Sequence, residues 1–128
     1  MPRILLADPN PEPYMKVLQD TGYEVIHGED MDESLAIIRV RARIRRVPID
    51  ILVTEVNLYA GQRGLQLANK ILSEYPTMPV IVHTSDEKAK GFSLNKVKVD
   101  HFIVKDGTGK NLLKKLKEVT STLPYKTI

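Results

Sequence analysis

Five short runs of apolar residues punctuate the chain, at positions 4–7, 23–27, 51–54, 80–83 and 102–104, and a polar stretch with helical spacing of its apolar residues follows each. Runs this short and this continuous fit strands buried on both faces better than half-exposed strands, which alternate. The intervening segments predict helices over about 11–21, 32–46, 64–75 and 110–121. Asn10 is placed to cap the first of these with Pro11 as its first residue, and Gly22 ends it. The last places Leu112, Leu116 and Val119 on one face. Residues 86–98 carry Gly91 and little periodicity, so a helix there is short or irregular.

Residues 32–46 admit two readings. As a strand, Arg39, Arg41, Arg43 and Arg45 alternate with Val40, Ala42 and Ile44. As a helix, Ile37, Val40, Ile44 and Val47 form one stripe flanked by arginines. Helix is favoured, because Glu29, Asp30, Asp32 and Glu33 suit a helix N-terminus and arginine is a good helix former; Pro48 ends it. Strands alternating with helices predict an α/β fold, a doubly wound five-stranded parallel sheet. Ligands of such sheets bind beyond the carboxyl ends of the strands. That directs attention to Asp8 and Pro9, Glu55 and Asn57, Thr84, and Lys105.

Composition narrows the classes. The 128 residues amount to 14.5 kDa with 42% hydrophobic and 27% charged residues, which is one globular domain over 1–128 with no membrane span. With no cysteine, a disulfide framework, a thiolate nucleophile and a Cys-ligated zinc are excluded. The apolar run after Met1 is too short for a signal peptide, so the expected location is cytoplasmic. His27, His83 and His101 are too scattered for a zinc site. The net charge of +3 is uneven: residues 1–38 hold 2 bases and 8 acids, residues 39–83 hold 7 and 3, and residues 84–128 hold 10 and 5.

The residues at the strand ends carry a family resemblance. ILLADPN resembles the first strand and acidic turn of response regulator receiver domains, and VLQDTGYEVI their first helix and second strand. IDILVTEVNL followed by GLQLANKI resembles the phosphoacceptor strand and third helix. PVIVHTS and HFIVKD resemble the fourth strand with its hydroxyl residue and the fifth with its lysine. The resemblance covers nearly the whole chain. It implies a flavodoxin-like receiver fold with strand order 2-1-3-4-5. It also implies a pocket where two acids and an Asp hold Mg²⁺ while that Asp takes a phosphoryl group. In this resemblance Thr84 and Lys105 contact the phosphoryl oxygens, and Phe102 is the switch aromatic, or else simply an aromatic buried in its strand.

Two positions depart from the pattern. Glu55 stands at the phosphoacceptor position, one methylene longer than Asp, and Pro9 replaces a metal-ligand acid. Asp106 follows Lys105 where the family usually has proline, and Leu58 and Tyr59 stand where Met and Pro are common. The expectation is an atypical, pseudo-receiver module of phosphorelay signalling that is not phosphorylated in the usual way. Catalytic residues are not expected, and Mg²⁺ binding through Asp8 and Glu55 is weak or lost. Glu55 and Lys105 are expected to form either a partly exposed ion pair or, with Thr84, a mimic of the phosphorylated state. Thr84 with Glu87 also spells a capping box. A phosphoacceptor receiver with unusual ligands is one alternative, and a basic nucleic-acid-binding module is another.

The arginine-rich helix is an addition to the pattern, since the chain from Leu35 to Glu55 is one to two turns longer than the resemblance leads one to expect. Arg39, Arg43 and Arg46 would share one stripe of it. Lys110, Lys114, Lys115 and Lys117 make the last quarter of the chain basic. Both are candidate surfaces for a protein partner or output domain, a homodimer among the forms it could take. Nucleic acid is the less favoured partner, because no recognition module or aromatic platform accompanies the arginines. DGTGK at 106–110 lacks the spacing of a phosphate loop and reads as a turn.

Overall fold

A computed structural model describes residues 2–44, 47–58, 63–86 and 101–123. Its elements are β1 (Arg3–Ala7), α1 (Tyr14–Asp20), β2 (Glu24–Gly28), α2 (Met31–Arg43), β3 (Ile51–Thr54), α3 (Arg63–Glu74), β4 (Val80–Thr84), β5 (His101–Val104) and α4 (Lys110–Thr120). The strands form one parallel sheet in the order β2-β1-β3-β4-β5. This is the doubly wound arrangement expected from the alternation of apolar runs. The expected helix over 86–98 lies mostly outside the described residues. Among the described residues no helix is long and apolar enough to cross a membrane.

Successive strand side chains point to opposite faces, which splits each apolar run between two cores. Leu5, Leu52, Val80 and Val82 pack under α2 and α3 with Leu35, Ile38, Leu67, Ala68 and Ile71. Ile4, Leu6, Ile51, Val53 and Ile81 pack on the other face with Tyr14 and Leu18 of α1 and Leu112, Leu116 and Val119 of α4. Both faces are therefore covered, which is why the central strands read as continuous apolar runs.

Three local expectations change. Helix α1 begins at Tyr14, not at Pro11: a residue before proline is pushed out of helical conformation, so Pro13 holds Glu12 outside the helix. Asn10 caps nothing here; its own amide donates to Asp8 Oδ1 at 2.8 Å, and the Pro11 carbonyl accepts from Met15. Residues 31–43 are helical, so the strand reading fails, but the core-facing stripe is not the one expected. Met31, Ser34, Leu35 and Ile38 are buried, whereas Val40 is 56% and Ile44 49% exposed. At the N-terminus Asp30 accepts the Glu33 amide at 2.8 Å and Glu33 Oε1 accepts the Glu29 amide, while Met31, Leu35 and Ile38 fill the core under the helix and leave Val40 on the outer side. The helix ends earlier than expected, at Arg43, and Ile44 is extended.

Candidate functional site

The parallel ladder places the site. Ala7 is level with Gly28 and Thr54, and Thr84 with Val104. One residue further on, the Asp8 amide donates to the Gly28 carbonyl, the Glu55 amide to Ala7 and the Lys105 amide to Thr84, at 2.8–3.0 Å. The strands thus release Asp8 and Glu55 at one level, while β4 and β5 run two residues further and release Lys105 beyond it at the same end of the sheet.

There the three side chains meet. Lys105 Nζ donates to Asp8 Oδ2 at 2.7 Å and stands 3.3 Å from Glu55 Oε1. The pair is not the partly exposed one expected. Side-chain exposure is 2% for Asp8, 9% for Glu55 and 14% for Lys105, and Asp8 is its third and closer member. The second Glu55 oxygen turns back to accept the Val56 amide at 2.6 Å. Burial pushes the Asp8 carboxyl above its ordinary value despite the hydrogen bonds from Lys105 and Asn10. Burial also disfavours the Lys105 charge, but Asp8 and then Glu55 outweigh it and raise the ammonium pKa.

Thr84 is fully buried, and its hydroxyl oxygen accepts the amide of Asp86, two residues on, at 3.2 Å. Glu87, the other member of the expected capping box, lies outside the described residues. The Glu55 carboxylate therefore reaches Lys105 and not Thr84. Pro9 flanks Asp8 without a side-chain donor atom, and Asn57 is exposed beyond β3. Phe102 is half-buried and packs against the core that lies under α2 and α3.

Sequence reasoning missed two contributors. Tyr14 lies beneath the lysine: its ring centroid is 5.6 Å from Lys105 Nζ, and its hydroxyl accepts the Gly107 amide at 3.0 Å. His83 stacks edge-on against it with centroids 4.5 Å apart. Burial, then the Lys105 charge, lower the His83 pKa to about 4, so it is neutral at pH 7 beside the ammonium. Its Nδ1 is buried with no hydrogen-bond partner. The signal for His83 was its place in an otherwise apolar strand, and nothing in the sequence announced Tyr14.

Asp106, where the resemblance has proline, organises the turn into α4. Its carboxylate accepts the amides of Asn111, Thr108 and Gly109 and the Thr108 hydroxyl. Those amides, Asn111 first, hold it well below the ordinary carboxylate range. DGTGK is accordingly a capped turn.

Gly64 sets the position of Glu55 from behind. A Cβ there would fall on the Glu55 carbonyl oxygen, 2.8 Å from its carbon and 2.9 Å from the Val56 carbonyl oxygen, while the Gly64 amide donates to Val56. Gly64→Ala must push backbone against backbone, and destabilisation of about 3 kcal/mol in urea unfolding is expected.

The basic surfaces fare differently. Arg39 is engaged by Glu74 of α3 through two hydrogen bonds at 2.9 and 2.8 Å, and Arg46 lies outside the described residues. The three-arginine stripe is thereby reduced to Arg43 among described residues. Lys110, Lys114 and Lys117 are all exposed on α4. No group of three or more His, Asp or Glu that could hold a metal ion occurs among the described residues.

No family model matches the chain. It is 32% identical over 80 residues, 62% of its length, to an Arabidopsis thaliana protein named as the two-component response regulator ARR21, and it spans only 12% of that protein. Among solved structures, a CheY-like receiver domain protein from Methanospirillum hungatei is 27% identical with a TM-score of 0.73 over 93% of both chains. The receiver domain of NtrX from Brucella abortus shares the fold at 22% identity and a TM-score of 0.79, over 94% of this chain and 99% of its own. The non-phosphorylated HemR receiver domain from Leptospira biflexa does so at 21% and 0.75 over both whole chains. With the strand order, the acid and lysine at the sheet edge and these likenesses together, the chain is a receiver domain of the two-component response regulators.

Proposed function

We propose that this receiver signals without conventional phosphotransfer, as a non-enzymatic module that acts through protein contacts in the cytoplasm. The observation that supports it most is the Lys105 ammonium seated between Asp8 and Glu55. All four carboxylate oxygens already have partners: Asn10 and Lys105 for Asp8, Val56 and Lys105 for Glu55. Magnesium needs near-octahedral oxygen ligands and dehydrates reluctantly. Two occupied carboxylates and Pro9 are a poor donor set, so Mg²⁺ binding is weak and no step is assigned to it.

In-line attack by Glu55 is disfavoured too, since a displacement near 1 Å costs on the order of a hundredfold in rate and its Oε2 is turned onto Val56. As a mimic of the phosphorylated state, Glu55 supplies the contact to Lys105 but leaves Thr84 bonded to its own turn. The exposed lysine stripe of α4 is the surface proposed for a protein partner or output domain. Nucleic acid is disfavoured at α2 because Arg39 is held by Glu74.

Incubating the chain with acetyl phosphate and Mg²⁺ and measuring its intact mass tests this reading. No acid-labile gain of one phosphoryl group is expected. A stoichiometric gain that disappears in Glu55→Gln would establish the working phosphoacceptor instead.

A further inference from the structure

The side of α2 that faces away from the sheet, together with Ile44 just past its C-terminal end, combines the only strongly exposed large hydrophobic residues among those described with a separation of charge along the helix. Val40 and Ile44 are 56% and 49% exposed, and Ala36 between the charged ends is exposed as well. Asp32 lies in the first turn, and Arg43 closes the C-terminal end. At 100° per residue, Asp32 and Arg43 fall about 20° apart on the same edge of this face, roughly 16 Å from each other along the axis. Ala36 and Val40 occupy the centre between them. Arg39 is tied to Glu74, and Arg41 donates to the Val47 carbonyl, whereas Asp32 and Arg43 have no ionic partner within the described chain.

We infer that this face of α2 is a self-complementary surface on which a second copy of the chain docks antiparallel about a twofold axis. A twofold axis across the helices keeps residues on their own edge and reverses the axis, so residue i of one copy meets residue j of the other and j meets i. With the axis between Ala36 and Val40, Asp32 of each copy lies beside Arg43 of the other, twice. The two central apolar patches cover one another. A parallel twofold arrangement would carry Asp32 and Arg43 of the two copies to opposite edges and form neither ion pair. The length of α2 offers less than a standard interface of about 800 Å² per partner. The dimer is accordingly weak, dependent on concentration and, because its ion pairs lie at a solvent-exposed edge, weakened by salt.

Sedimentation velocity of the whole chain over a concentration series up to about millimolar, the range suited to an interface below standard size, tests the inference. The expected result is a rise toward dimer that shrinks in high salt. Asp32→Arg and Arg43→Asp should each lose it, since each sets like charges together, while an equimolar mixture of the two variants should recover it, because both pairs are then restored with reversed polarity. Circular dichroism of each variant checks that α2 is intact, and the mixture keeps the test decisive if one variant alone is less stable. A wild-type chain that stays monomeric throughout, an association indifferent to both variants, or a mixture without recovery overturns the inference. So does binding of a duplex oligonucleotide that Arg43→Asp abolishes while the free chain remains monomeric, which would give this face to nucleic acid.

Discussion

Lys105→Met is expected to destabilise the chain by about 3 kcal/mol at neutral pH, as breaking a buried ion pair from one side does. Among the described residues the lysine is the only cation in contact with Asp8 and Glu55, and its removal leaves two carboxylates buried together with backbone amides as their remaining partners. The pH dependence has a definite sign. The Asp8 pKa is already raised by burial, so its contribution to stability is full below the ordinary carboxylate value and is lost as pH rises through the raised one. Without Lys105 that pKa rises further. The deficit of the variant is therefore largest near neutral pH and shrinks in acid, where Asp8 takes up a proton. Urea unfolding of both proteins at about pH 7 and about pH 5 measures it. Adding Asp8→Asn to Lys105→Met should recover part of the loss, because only one buried charge is then left unpaired.

The second large effect is a gain. Pro9→Asp together with Glu55→Asp should produce a chain that takes up a phosphoryl group from acetyl phosphate in a Mg²⁺-dependent manner, where the parent chain is expected to take up none. The shorter side chain withdraws the carboxylate from Lys105 and from the Val56 amide, and the new acid beside Asp8 supplies a further oxygen for the metal. Repositioning alone is worth on the order of a hundredfold in rate. Glu55→Asp by itself should label slowly, since Pro9 still denies the metal a ligand. Phosphoryl incorporation followed by intact mass, with and without a chelator, reads both. If the double variant stays unlabelled, the barrier lies elsewhere, and the turn that ties Thr84 to Asp86 becomes the first place to look.

The strands were legible because burial on both faces leaves little room for polar residues, and the pocket was legible because parallel strands all release their next residues at the same end of the sheet. Asp8, Glu55 and Lys105 met as the order of the runs implied. What was hidden depended on phase and on orientation. Val40 and Ile44 have helical spacing with Ile37, yet packing of Met31, Leu35 and Ile38 into the core leaves Val40 outward, and Ile44 falls just beyond the helix end. Apolar spacing cannot distinguish that phase from its neighbour. The start of α1 depended on which of two prolines constrains the chain. Tyr14 escaped notice because an aromatic at a helix start carries no signal of the lysine above its ring. The preference for Glu55 as partner of Lys105 came from the phosphoacceptor position, whereas the shorter contact is to Asp8.

β5 is a four-residue strand at the edge of the sheet, paired among the described residues with β4 alone. Its last hydrogen bond to that neighbour runs from the Lys105 amide to Thr84, and the same lysine's ammonium is fastened to β1 and β3 through Asp8 and Glu55. The side chain is thus a clasp that ties the outermost strand to two strands further inside the sheet. Peeling β5 away and stripping the pocket of its cation are one event, so whatever loosens this edge also unmasks the paired carboxylates at its centre.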